Sequence, residues 1–350
     1  MKALALHPKV ISLANTLKID SADAVEGIRK FCADRVRDFL RGDRTVADMQ
    51  KLQDVLCEKL NLTIHEIWSD ADVDNIANSY LSQGEAVFAF LKNDLNSGTY
   101  GVLIRLNKHK GSRFYWVAVV DCRGEKQHRR FFTIWHEIVH CITAADQYEL
   151  PFHRTKISRD LIDPLERVTD LVAGDLAFFD PLFRPILEQQ TSVERRLTFE
   201  SVQKIRQRFC PEASFESTLN ACVSRSGFPV ILVKADLALK KSEQDAINSP
   251  QAQLFPIAPP VARLRVVSTI KNDAARSNSL HIHRNMRVPA SSIINSVFYD
   301  QKLSRDSATE NLSDWSSSDG AALADVEVTV DARKIGDQVV ALISPVAATS

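Results

Sequence analysis

The chain has 350 residues, with 44 Lys+Arg balanced by 44 Asp+Glu, 45% hydrophobic residues and 25% charged ones. That composition belongs to a folded protein of two or three domains; it is too apolar for a disordered chain, and its 11 glycines are too few for a collagen-like or Gly-rich phosphate-loop architecture. The zero net charge argues against a chain-wide basic surface for nucleic acid and leaves only a local patch open.

No apolar run approaches the ~18–20 residues that cross a bilayer. The start breaks at His7-Pro8-Lys9, too early for a secretory core segment. The six cysteines, Cys32, Cys57, Cys122, Cys141, Cys210 and Cys222, form no C-x-x-C pair and read as buried thiols. These features predict a cytoplasmic protein with no membrane partner.

In chain order, residues 1–60 read as a helical N-terminal segment. Val25, Ile28, Phe31, Cys32, Val36 and Phe39 recur at helical spacing, and a second helix runs from about Thr45 to a stop at Asn61. Leu62–Trp68 alternates as a strand. Asp70–Ser82 reads as a polar helix. Ala86–Leu91, Tyr100–Leu106 and Phe114–Val120 are further strand candidates, giving a small antiparallel sheet. Helical period returns over Glu125–Asp146, Leu161–Phe179, Thr198–Phe209 and Ser214–Ser224, and Pro229–Lys234 is a strand candidate. Four prolines over 248–260 suggest a linker. Beyond it, Leu264–Ile270, Ala321–Val330 and Val339–Ile343 read as strands, and the Ser- and Asp-rich stretch 304–320 as a mobile loop. The expected fold is α+β, divided into residues 1–60, 61–240 and a β-rich C-terminal domain over 241–350 of unknown role. His281-Ile282-His283, with Arg284 and Arg287 beside it, reads as an exposed strand face.

The chemistry concentrates in Trp135-His136-Glu137-Ile138-Val139-His140, an H-E-x-x-H pattern in an apolar helix. Four residues apart on a helix, His136 and His140 share one face and can bind one metal ion, with Glu137 placed to take a proton from an attacking water. A catalytic zinc site needs a third protein ligand. Asp146 stands six residues after His140, but Thr143 occupies the position where the extended motif needs a glycine to turn the chain. Glu166 is the better candidate. It sits near the start of a later helix led by Pro164, with Asp170 four residues on, placed to orient a ligand imidazole. The ligand types favour Zn2+, with Mn2+ as the alternative. Tyr148 and His153 are candidates for a second electrophile, and neither is chosen.

Arg130-Phe131-Phe132-Thr133-Ile134-Trp135-His136-Glu137-Ile138-Val139-His140 resembles the R-x-F-T-x-x-H-E-x-x-H core of the ImmA/IrrE metallopeptidases. Glu166–Leu176 is similar to that family's second helix, and Ser214–Asn220 with Phe228–Val233 to a later helix and strand. The resemblance covers roughly residues 50–235. It departs at Thr169-Asp170, where the family has Ala-Asn, and at Asn220, where an Arg is common. It implies a zinc endopeptidase domain over 61–240 with metal ligands His136, His140 and Glu166 and catalytic Glu137. The substrate implied is a protein, a helix-turn-helix transcriptional repressor that the enzyme cleaves to relieve repression. The alternative is a non-catalytic metal-binding module that sequesters a partner or senses a signal.

Overall fold

The computed structural model describes residues 2–42, 46–110, 113–144, 152–155, 163–247, 260–278, 280–316 and 323–346. The fold is α+β, as expected. It separates into two compact units, Met1–Phe183 with Phe209–Ser214, and Arg184–Arg208 with Phe215–Ser350.

The first unit holds a four-stranded sheet in the order β1-β3-β2-β4. Its strands are β1 (Leu62–Ile67), β2 (Thr99–Lys110), β3 (Arg113–Asp121) and β4 (Phe152–Thr155). The sheet is mixed and not purely antiparallel: β2 pairs antiparallel with β3 and β4, but β1 runs parallel to β3, with Leu62 opposite Trp116. Val102, Ile104, Val117 and Val119 share one face and pack with Ile67, Val73, Phe88 and Leu91. By alternation Gly101, Leu103, Ala118 and Val120 face the other way, toward the H-E-x-x-H helix. Both faces are therefore covered, which is why Val117–Val120 is a continuous apolar run and not an alternating one.

Ala86–Leu91, expected as a strand, is a 3-10 turn over Ala86–Phe90 leading into Leu91–Asp94. Phe88 and Leu91 are both fully buried and three residues apart, so a helical turn puts both into one core, whereas a strand would send them to opposite faces.

The N-terminal helices are not a separate segment. We label α1 (Pro8–Thr16), α2 (Ala24–Phe39), α3 (Met49–Leu60), α4 (Asp70–Ser82), α5 (Arg130–Thr143) and α6 (Pro164–Leu176). Arg29 of α2 grips Asp175 of α6 with two hydrogen bonds, Nε to Oδ2 at 2.6 Å and Nη2 to Oδ1 at 3.0 Å. Lys9 of α1 pairs with Asp163, whose carboxylate also caps the start of α6 by accepting from Leu165 N at 2.8 Å. The expected stop of α3 is Asn61, in the left-handed conformation at φ 50°.

The second unit is built on a five-stranded antiparallel sheet in the order β6-β5-β9-β8-β7. Its strands are β5 (Ile231–Ala238), β6 (Arg263–Lys271), β7 (Arg305–Asn311), β8 (Glu327–Ile335) and β9 (Gln338–Pro345). The expected division at 240/241 does not hold for this sheet, because β5 pairs with β6 on one side and β9 on the other. The expected loop over 304–320 contains β7, a polar strand at the edge of the sheet that pairs with β8. The apolar residues on one face of the sheet, among them Ile231, Val233, Val330, Ala341 and Ile343, form one core with Trp315, Ile294 and Val297. The proline stretch is described only at Pro260. Among the described residues, no helix is long and apolar enough to cross a membrane.

Candidate metal centre

Helix α5 is buried on every side from Thr133 to Thr143, lying on the sheet and against α6. Trp135, Ile138 and Val139 fix it in place, each large apolar side chain contributing about 1.5–3 kcal/mol by burial. A helix immersed this way has no solvated face for two imidazoles and a carboxylate. His136 and Glu137 are each 1% exposed and His140 5%. Such groups persist in an apolar setting only where a partner compensates them.

The partner comes from α6. His136 Nε2 lies 3.0 Å from Glu166 Oε2, His140 Nε2 lies 3.4 Å from Glu166 Oε1, and the two Nε2 atoms are 2.9 Å apart. The three ligand-type atoms thus converge on one point. Ligands at ~2.0–2.1 Å around a tetrahedral ion stand about 3.3 Å from one another. The observed separations bracket that value, and an N,N,O donor set of this kind suits a divalent ion. His136, His140 and Glu166 could hold one. Burial alone would push the Glu166 carboxyl up, but hydrogen bonds from His136 and His140, and their charges, outweigh it and hold the group well below the usual carboxylate range. It is therefore ionised, the form in which a carboxylate binds a metal.

The other nitrogen of His136 is occupied as the sequence predicts. Nδ1 lies 2.9 Å from Asp170 Oδ1, one turn along α6 from Glu166. That contact fixes the ring's orientation, and with Nδ1 donating to Asp170 a bound ion would take Nε2 as its ligand.

One residue of the site goes unread in the sequence. Gly101 on β2 faces Glu137, and a Cβ there would stand 2.7 Å from Glu137 Oε1 and 2.7 Å from Thr133 Cγ2. Glycine at this position is what lets α5 lie close enough to the strand for the carboxylate to fit. The signal available was an isolated glycine inside an otherwise apolar strand run, which marks a close approach. The start of α5 is held by Arg130, whose guanidinium bonds Glu66 at the end of β1 and Glu212. Asp146 and Tyr148 lie outside the described residues, and of His153 only the backbone, in β4, is described.

No family model matches the chain, and no curated protein does either. A solved structure of a Mycobacterium tuberculosis transcriptional regulator superposes at TM-score 0.37 with 13% identity, covering 92% of this chain and 80% of that chain. That likeness is too loose to carry an argument about fold or function.

Proposed function

We propose that the protein is a zinc-dependent endopeptidase acting on a protein substrate. The observation that carries this reading is the convergence of His136, His140 and Glu166 beside the carboxylate of Glu137. Zinc bound by those three residues would supply Lewis acidity to the reaction. Glu137 accepts the proton of the attacking water on its carboxylate and delivers it to the departing amine. Asp170 holds the His136 ring in the tautomer that points Nε2 at the site. The absence of a side chain at Gly101 leaves the room in which the Glu137 carboxylate sits. The resemblance in the H-E-x-x-H helix and in α6 supports a helix-turn-helix repressor as the substrate.

The burial of Glu137 favours a second reading, a metal-holding regulatory module that binds a partner without cutting it. One experiment separates the two. The full chain and its Glu137→Gln variant are each loaded with zinc and incubated with a cell-derived protein mixture, and new N-termini are identified by mass spectrometry. The peptidase reading expects cleavage products from the native chain alone, with equal zinc content in both proteins. Equal or absent products from the two would defeat it.

A further inference from the structure

The second unit carries a charge imbalance that the whole chain conceals. Between Lys240 and Arg287 there are eight Lys or Arg and three Asp or Glu, in a chain of zero net charge. Part of this excess lines a cleft of about 460 Å³, walled on one side by Lys240, Lys241, Ser242 and Asp245 and on the other by the turn His283-Arg284-Asn285-Met286. That volume falls in the range of small-molecule sites.

The two walls are built and tied together. Asn285 sits in the left-handed conformation at φ 71°, which turns the chain sharply after Arg284. Its side-chain amide faces the other wall, and with the amide turned so that both ends are satisfied its nitrogen donates to Leu239 O at 3.2 Å and its oxygen accepts from Lys241 N at 2.7 Å. The turn is pinned to edge strand β6, with Asn285 N donating to Val266 O at 2.7 Å and Arg265 Nη1 donating to Asn285 O at 3.1 Å. Lys240 N donates to Glu243 Oε2 at 2.6 Å, so that carboxylate is engaged with the backbone of the other wall.

Two of the cationic groups in this frame, Lys241 and Arg284, face little compensation. Neither Lys241 nor Arg284 has an ion-pair partner among the described residues, and Asp245 is the one carboxylate lining the cleft. His281-Ile282-His283, expected as an exposed strand face, keeps that one-sided burial but belongs to no strand. Ile282 is buried, and the two imidazoles stack at 5.9 Å, with Lys271 Nζ 3.3 Å from His281 Nδ1. Burial first, then the nearby Lys271 and His281, push the His283 pKa down, consistent with a positive field at the cleft.

We infer that this cleft binds the phosphate group of a small phosphorylated molecule, held by Arg284, Lys241 and His283. A planar guanidinium engages two phosphate oxygens at once, an ammonium adds a point charge, and an imidazole adds a directed donor. The cleft is larger than one phosphate, so the remainder of the ligand lies along the Met286 side.

Calorimetric titration of the full chain with inorganic pyrophosphate, at fixed ionic strength, tests this. Saturable binding is expected, with affinity at least about tenfold weaker in the Lys241→Ala/Arg284→Ala double variant. Both positions are on the surface, so unchanged circular dichroism and melting without ligand will show that the variant folds. Absence of pyrophosphate binding at millimolar concentration overturns the inference. Citrate binding as tightly as pyrophosphate overturns the assignment to phosphate. A short DNA duplex that binds with steep salt dependence, and that pyrophosphate fails to displace, overturns it in favour of a nucleic-acid surface.

Discussion

At the scale of single residues, the position of one carboxylate depends on a missing methyl group. Glu137 stands where a Cβ on Gly101 would come within 2.7 Å of Oε1. Gly101→Ala must therefore displace either β2 or the carboxylate. A displacement near 1 Å at a proton-transfer group costs on the order of 100-fold in rate. We expect that loss of turnover with zinc content unchanged, measured by product formation and elemental analysis on the same sample. Asp170→Ala should act on the other quantity. It releases the His136 ring, so zinc affinity falls roughly 10–100-fold in a chelator competition, in the range typical for loss of a group supporting a metal ligand. His136, Glu137 and His140 were legible in the sequence because helix geometry alone puts positions four apart on one face. Glu166 was legible because a carboxylate with an Asp one turn later suits a ligand helix. Gly101 was not, since its meaning depends on which helix lies across the strand.

At the scale of elements, α5 begins at a clamp centred on a buried carboxylate. Asp121 closes β3, its side chain is fully buried, and it accepts from Arg123 Nε at 2.8 Å, Arg123 Nη2 at 2.8 Å and Lys126 Nζ at 2.6 Å. Lys126 also donates to Asn96 O and Thr99 O, so one ammonium ties the start of β2, the end of β3 and the turn into α5. Burial works to raise the Asp121 pKa, but the bonds from Arg123 and Lys126 prevail and hold it below its ordinary value. A carboxyl whose folded pKa lies below its unfolded one, ~3.9, stabilises the fold fully above that pH. The contribution is lost as pH falls through the folded value. Urea midpoints should therefore drop as pH is lowered below about 4. Asp121→Asn should flatten that slope and cost about 3 kcal/mol at neutral pH, because Lys126 loses its ion-pair partner and Arg123 keeps only Asp70. The clamp explains part of what sequence reading resolved poorly. Strands β2 and β3 carried their own apolar pattern, whereas β7 is polar along its length and takes its identity only from pairing with β8. Likewise the 3-10 turn at Ala86–Phe90 was set by a core it could not announce in advance.

At the scale of the whole molecule, the division of the chain into two units has a consequence for how it melts. Each unit has its own apolar core, one around Phe88, Val102 and Val117 and the other around Trp315, Val233 and Val330. The boundary falls inside continuous segments at 183/184, 208/209 and 214/215, so no single cut separates the units. A chain ended at residue 240 keeps β5 but removes β6 and β9, leaving both its edges unpaired, and should aggregate. The intact chain should show two calorimetric transitions, since units with their own cores can unfold with separate cooperativity. The residues that converge at the proposed zinc site, His136, His140 and Glu166, all belong to the first unit. A ligand that binds only the folded form stabilises it by about 2.7 kcal/mol at a hundredfold excess over Kd. For a unit of this size that amounts to a rise of roughly 5–10 °C. Zinc should therefore move one transition upward and leave the other in place, and Glu166→Ala should cancel the shift without touching the second transition. A scan in which both transitions move together would show that the ion acts on the molecule as one cooperative body, and a scan in which neither moves would remove the zinc site itself.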